Sequence, residues 1–181
     1  MNTEDRIKAA WQGRISGCLL GKPVEMISMR EGPQGLHRFL EDSGSLPLRN
    51  YVNYMEHELL RGVNKKCCSG MMDKAEVDDD ITYLVLALMM METYGLDLST
   101  DDVARTWINM LPVGATFTAE RDSYLKLIEK SNMAYQFGGP RSFDLDEIND
   151  GEYNDWIGAQ IRIDMYGLSL IHISEPTRLA W

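Results

Sequence analysis

From Ile81 to Met91 the chain reads ITYLVLALMMM, apolar at nearly every position, with Asp78-Asp79-Asp80 immediately before it. Ile81, Leu84, Val85, Leu88 and Met89 recur at helical spacing, and Tyr83, Leu86, Ala87, Met90 and Met91 fill the other faces. The pattern predicts a helix over 78–94, and a helix apolar on nearly all sides belongs at the centre of a fold. A second stripe, Ile7, Ala10, Trp11, Ile15, Cys18 and Leu19, predicts a helix from an N-cap at Thr3 to about Leu20, ended by Gly21 and Pro23.

Residues 28–74 are interrupted by Gly, Pro and Asn, and leave room for short helices near 36–41 and 56–61. Ser99-x-x-Asp102 is a capping box, predicting a helix to about Met110 with Pro112 beyond it. Further helices are predicted over 118–130 and from Asn154 or Asp155 to Tyr166. No series of alternating strands is present, so the expected fold is all-α, a compact multi-helix domain.

The last segment changes the domain reading. Leu168–Arg178, LSLIHISEPTR, matches the in-frame translation of a transposase adapter end used in preparing sequencing libraries. The expected organisation is one domain over 1–167, itself the front part of a longer protein, followed by a non-native tail over 168–181. His172 then carries no chemistry, which leaves His37 and His57. Glu175 and Arg178 cancel, so excising the tail leaves the charge balance unchanged.

That balance is -10, with 44% hydrophobic and 25% charged residues. Such an acidic surface disfavours non-specific binding to nucleic-acid backbones and anionic membranes. The apolar run is too short and too closely flanked by acid to span a bilayer. Three cysteines, Cys18, Cys67 and Cys68, form no C-x-x-C pair, and the N-terminus lacks a signal peptide's apolar stretch; the expected setting is cytoplasmic.

Candidate chemistry starts at Asp78-Asp79-Asp80. One helix N-terminus needs one carboxylate to cap it, and three adjacent acids repel unless a cation or solvent relieves them. Hard oxygen donors without His suit Mg²⁺ or Mn²⁺ better than Zn²⁺. Within a helix, consecutive side chains point about 100° apart, so the trio converges only if it straddles the cap. Gly17–Glu25, GCLLGKPVE, adds a glycine-rich segment; its Lys22 suits phosphate and its Gly21 lets backbone approach a ligand, although an exposed Lys or Glu needs no such role. In the stretch 149–161, Gly158 and Ala159 favour close helix packing, and Asp164 falls on the face of Ile157 and Ile161.

Taken in order, GCLLGKPVE, VDDDITYLVLAL and WIGAQIRIDMYG resemble a bacterial branch of the ADP-ribosylglycohydrolase family over about 11–167. The resemblance implies an all-α fold with a two-metal Mg²⁺ or Mn²⁺ centre that hydrolyses the glycosidic bond of ADP-ribose on a small molecule or a protein. It implies Asp78, Asp79 and Asp80 as metal ligands, Glu25 and Asp79 as catalytic residues, and Glu25, Gly21 and Lys22 as substrate contacts. Three departures stand out. Cys18 replaces a usual Asp, Asp78 replaces a usual Thr or Ser, and the family's second metal motif, D-x-D-[ST], is absent. The chain by itself is therefore expected to be inactive. A non-catalytic binding or structural member of the same fold is the alternative. An isoprenoid-synthase-like Mg²⁺ enzyme is disfavoured because its D-D-x-x-D pattern would require an acid at Thr82.

Overall fold

A computed structural model describes residues 2–153, 156 and 158–169. The described residues form eight α-helices and one 3-10 turn, with a single isolated bridge, Asn53 to Ser69, in place of any sheet. The helices are α1 (Thr3–Asp42), α2 (Val63–Lys66), α3 (Asp79–Tyr94), α4 (Thr100–Met110), α5 (Thr118–Lys130), α6 (Met133–Gln136), α7 (Asp146–Asn149) and α8 (Gly158–Ser169). The all-α expectation holds. No described helix is long and apolar enough to cross a membrane. The chain divides into two compact units, Met1–Ile81 and Thr82–Trp181.

In the first unit, α1 departs from expectation. Asn2, not Thr3, caps it, accepting the Asp5 N–H at 2.8 Å. The helix also does not stop at Gly21 and Pro23 but continues to a kink at Gly32, beyond which a second helical stretch runs to Asp42. Pro23 removes one intrahelical hydrogen bond, yet Leu19, Pro23 and Ile27 form a buried i, i+4, i+8 stripe. Tertiary burial outweighs the local cost. Gly32 alone leaves helical geometry, at φ 69 and ψ -173. It precedes Pro33, whose ring disfavours the α region for its neighbour. The core gathers Ile27, Phe39, Val52, Leu60 and Cys68, flanked by Leu20, Val24, Leu40, Met55 and Leu59. The expected 36–41 helix lies within the stretch of α1 that follows the kink at Gly32. Residues 56–61 are not helical, because that stretch folds as a turn in which the Leu60 N–H donates to the His57 carbonyl.

In the second unit the local signals are met closely. Ser99 and Asp102 form the reciprocal capping box of α4, and α5 spans the predicted residues. The helix α8 begins at Gly158; its expected start at Asn154 or Asp155 lies outside the described residues, as does nearly all of the expected non-native tail. Tyr83, Leu86, Leu111 and Tyr124 make one core cluster with Trp107 and Ile161. Ala104, Leu127, Tyr135 and Ile148 make a second, with Phe143 and Leu145 against it. Buried Glu120 pairs with Arg162, and Tyr135 donates its hydroxyl to Asp101 at 2.8 Å.

The end of α6 shows how a glycine pair closes a helix. Gly138, at φ 94, turns the chain so that its N–H meets the Tyr135 carbonyl while the Gly139 N–H meets that of Ala134. This is the double hydrogen bond of a Schellman cap. A Cβ on Gly139 would lie 2.6 Å from the Ala134 carbonyl oxygen. Gly139→Ala is therefore expected to cost about 1–3 kcal/mol of stability, as an overpacked site does. Gly13, inside α1 with no heavy atom near its missing Cβ, is the opposite case, and Gly13→Ala should gain about 0.5–1 kcal/mol. Urea unfolding of both variants checks the sign; destabilisation by Gly13→Ala or none by Gly139→Ala contradicts the packing described.

Candidate metal site

The acidic triplet straddles the start of α3. Asp78 lies outside the helix and accepts the Asp80 N–H at 3.0 Å, while Asp79 and Asp80 are its first two residues. Asp78 is thus the cap. Because the backbone is not yet helical at Asp78, its carboxylate swings round to meet that of Asp80 instead of pointing away.

Opposite them, α1 presents one face built at i, i+4, i+8 spacing: Arg14, Cys18 and Lys22. Arg14 donates to Asp80 at 2.8 Å. Lys22 donates to Asp78, and the Cys18 thiol donates to the same carboxylate. The Lys22 and Asp78 side chains retain only 15% and 7% of their exposure, so this pair is sheltered from solvent. Among the described residues, Cys18 Sγ and carboxylate oxygens of Asp78 and Asp80 all lie within 4.8 Å of one another.

Proton affinities follow from this crowding. Burial and the hydrogen bond to Asp78 push the Cys18 thiol far above its usual range, so it remains a thiol at neutral pH. Burial opposes charge on Lys22, but the hydrogen bond and charge of Asp78 win and raise its pKa. Burial also works against ionised Asp78, yet the hydrogen bonds from Lys22 and Cys18 hold its carboxyl below the ordinary value. Asp79 is raised by burial and then by the charge of Asp78. Burial raises Asp80 too, with Arg14 pulling the other way and Asp78 adding to the rise.

The expected site residues are therefore only partly gathered. Asp78 and Asp80 converge; Asp79 follows Asp78 at the helix start but is outside the three-residue cluster. Lys22 is in the site as an ion-pair partner of Asp78. Gly21 lies within α1 and not in a turn, so its backbone amide is engaged in the helix. Glu25 is exposed, one turn beyond Lys22, where its charge helps to hold the Lys22 proton. Arg14 and Cys18 are partners the motif comparison did not supply as site residues. Their signal was present in the 14, 18, 22 spacing, which puts a guanidinium, a thiol and an ammonium on one helical face.

A divalent ion bound at about 2.0–2.2 Å holds its ligand atoms within roughly 4 Å of one another. The Asp78 and Asp80 oxygens lie within 4.8 Å of one another, so the two side chains would have to draw closer to share such an ion. The protonated Cys18 sulfur is the weakest donor of the set, being soft and occupied as a hydrogen-bond donor. Elsewhere, Lys130, Arg141, Ser142, Phe143, Asp144 and Glu147 line an open polar depression in the second unit, which holds none of these residues. No protein-family model, curated protein or solved structure matches the chain.

The opposite proton affinities of adjacent aspartates give a stability test. Asp78 has a folded pKa below its unfolded value, so its contribution is present at neutral pH and lost as pH falls through the folded value. Asp78→Asn should cost about 3 kcal/mol at pH 7, as expected for breaking a buried pair. Asp79 has a folded pKa above its unfolded value, so its ionised form destabilises at neutral pH and is relieved on acidification. Asp79→Asn should therefore gain about 0.5 kcal/mol at pH 7, the scale of a like-charge helix pair. That gain should vanish below about pH 4. Thermal unfolding of both variants between pH 3 and pH 7 (roughly the carboxylate titration range and above it) checks this; a loss of stability in Asp79→Asn at pH 7 contradicts it.

Proposed function

We propose that the chain carries one half-site of a divalent-cation-dependent hydrolase of ADP-ribosyl glycosidic bonds, akin to the ADP-ribosylglycohydrolases. The observation that carries this reading is the approach of Asp78 and Asp80 oxygens to within 4.8 Å at the cap of a largely apolar helix. The order of GCLLGKPVE, VDDDITYLVLAL and WIGAQIRIDMYG supports it. Asp78, Asp79 and Asp80 are assigned to the cation, which is Mg²⁺ or Mn²⁺ by the hardness of the donors. When bound, such an ion lowers the pKa of a water and orients ribose hydroxyls.

The chain's own groups then have distinct tasks. Asp78 fixes the start of α3 by capping it, which holds the Asp79 and Asp80 backbone in place. Glu25, exposed beyond Lys22, is free to accept a proton from water or a ribose hydroxyl. Lys22 is held as the ion-pair partner of Asp78 and the Gly21 amide by the α1 helix, so neither is offered to the substrate. The concentration of carboxylates favours the oxocarbenium-like transition state of glycosidic cleavage. In this reading a second half-site of D-x-D-[ST] type completes the centre; that motif is not in this sequence.

A second reading has its own observation. Arg14 and Lys22 already neutralise Asp80 and Asp78, which is what a non-catalytic member of the same fold would show. Two measurements separate them. The hydrolase reading expects this chain to bind Mn²⁺ weakly, with Asp80→Asn losing about tenfold or more of that affinity. It also expects a protein joining this chain to a D-x-D-[ST] half-site to release ADP-ribose in a Mg²⁺-dependent way, and Asp79→Ala in it to reduce the rate by about 100-fold or more. Full activity in Asp79→Ala, or Mn²⁺ affinity untouched by Asp80→Asn, removes these aspartates from the centre. Cation binding without release of ADP-ribose favours the binding protein.

A further inference from the structure

We infer that His57 is a pH-sensitive latch: on taking up a proton, its ring lets go of the turn over residues 57–60 and stays paired with Glu31. The inference is independent of the cation reading, because neither residue belongs to that site. Glu31 directly precedes Gly32, where α1 leaves helical geometry, and its carboxylate meets His57 Nε2 at 3.1 Å. On the other side of the ring, Nδ1 accepts the Leu59 N–H at 3.2 Å. Phe39 packs edge-on against the same ring, with centroids 5.4 Å apart. An imidazole whose Nδ1 accepts a backbone N–H is neutral and carries its one hydrogen on Nε2. That is the nitrogen facing the carboxylate.

A second proton has one place to go. On Nδ1 it would point at the Leu59 N–H, setting donor against donor, and the hydrogen bond is lost. The new charge meanwhile strengthens the attraction to Glu31, which keeps the ring on the α1 side. The turn therefore gives way and the ion pair does not. The charged surroundings agree with this direction. Arg30 and Arg38 on α1 are exposed, and among the described residues neither pairs with Glu31 or His57. Glu56 and Glu58, which flank His57 in the chain, are also exposed, and their charge favours the imidazolium. The turn matters to the first unit because the Leu60 N–H donates to the His57 carbonyl at 3.0 Å and the Leu60 side chain shares the core with Phe39.

The test follows the intact chain by nuclear magnetic resonance from about pH 8 to about pH 5, the range over which imidazoles ordinarily change charge. At the upper end, the His57 ring nitrogens should show the Nε2–H tautomer. On acidification the hydrogen-exchange protection factor of the Leu59 amide should fall about fivefold, the worth of one hydrogen bond, with the midpoint of the His57 ring. His57→Asn, whose side-chain oxygen takes the place of Nδ1 and does not titrate, should hold Leu59 protection constant. Glu31→Gln keeps an acceptor for Nε2–H without the charge and should lower the midpoint by about half a pH unit. It carries the test alone if circular dichroism shows His57→Asn unfolded. The latch is overturned by a ring hydrogen on Nδ1 at about pH 8, by Leu59 protection that ignores the protonation of His57, by an equal loss in folded His57→Asn, or by an unchanged midpoint in Glu31→Gln.

Discussion

Three ionised aspartates cannot begin a helix side by side without compensation. Two unit charges about 4 Å apart at an effective dielectric constant near 20 interact by roughly 4 kcal/mol, comparable to a sizeable share of a small domain's net stability. Lys22 and Arg14 supply that compensation to Asp78 and Asp80. Both come from one face of α1, so the helix has to run unbroken from Arg14 past Lys22, directly into Pro23. The pairing at α3 requires helix as far as Lys22, and the burial of Pro23 and Ile27 carries it past the local stop.

The same helix separates two tasks by rotation. Arg14, Cys18 and Lys22 face the acids, whereas Leu19 and Pro23, one residue beyond Cys18 and Lys22, are buried, and Ile27 continues their stripe. A step of one residue turns the helix by about 100°, which keeps the charged stripe and the apolar stripe apart. Cys18 sits between the two cations. A carboxylate there would add a further negative charge beside Asp78 and Asp80, whereas the protonated thiol donates a hydrogen bond and adds none.

What the sequence made legible were features decided within one or two turns. The apolar run of α3, the Ser99–Asp102 capping box of α4 and the extent of α5 each depend on neighbours in the chain. The all-α architecture followed from them. Decisions made by distant residues were harder to read. Pro23 is a helix stop by local rules and a buried helical residue by tertiary packing. Glu25, a site candidate from its place in GKPVE, lies on the exposed side of α1, one turn beyond Lys22. Arg14 drew no attention because a lone arginine on an amphipathic helix is ordinary, and only the partner at Asp80, 66 residues away, distinguishes it.

Charge counting links the fold to the chemistry. Asp78, Asp79 and Asp80 carry three negative charges when ionised, and Lys22 and Arg14 return two positive ones, leaving one negative charge. That remaining charge falls to Asp79, whose carboxyl is raised above its ordinary value by burial and by the neighbouring charge of Asp78.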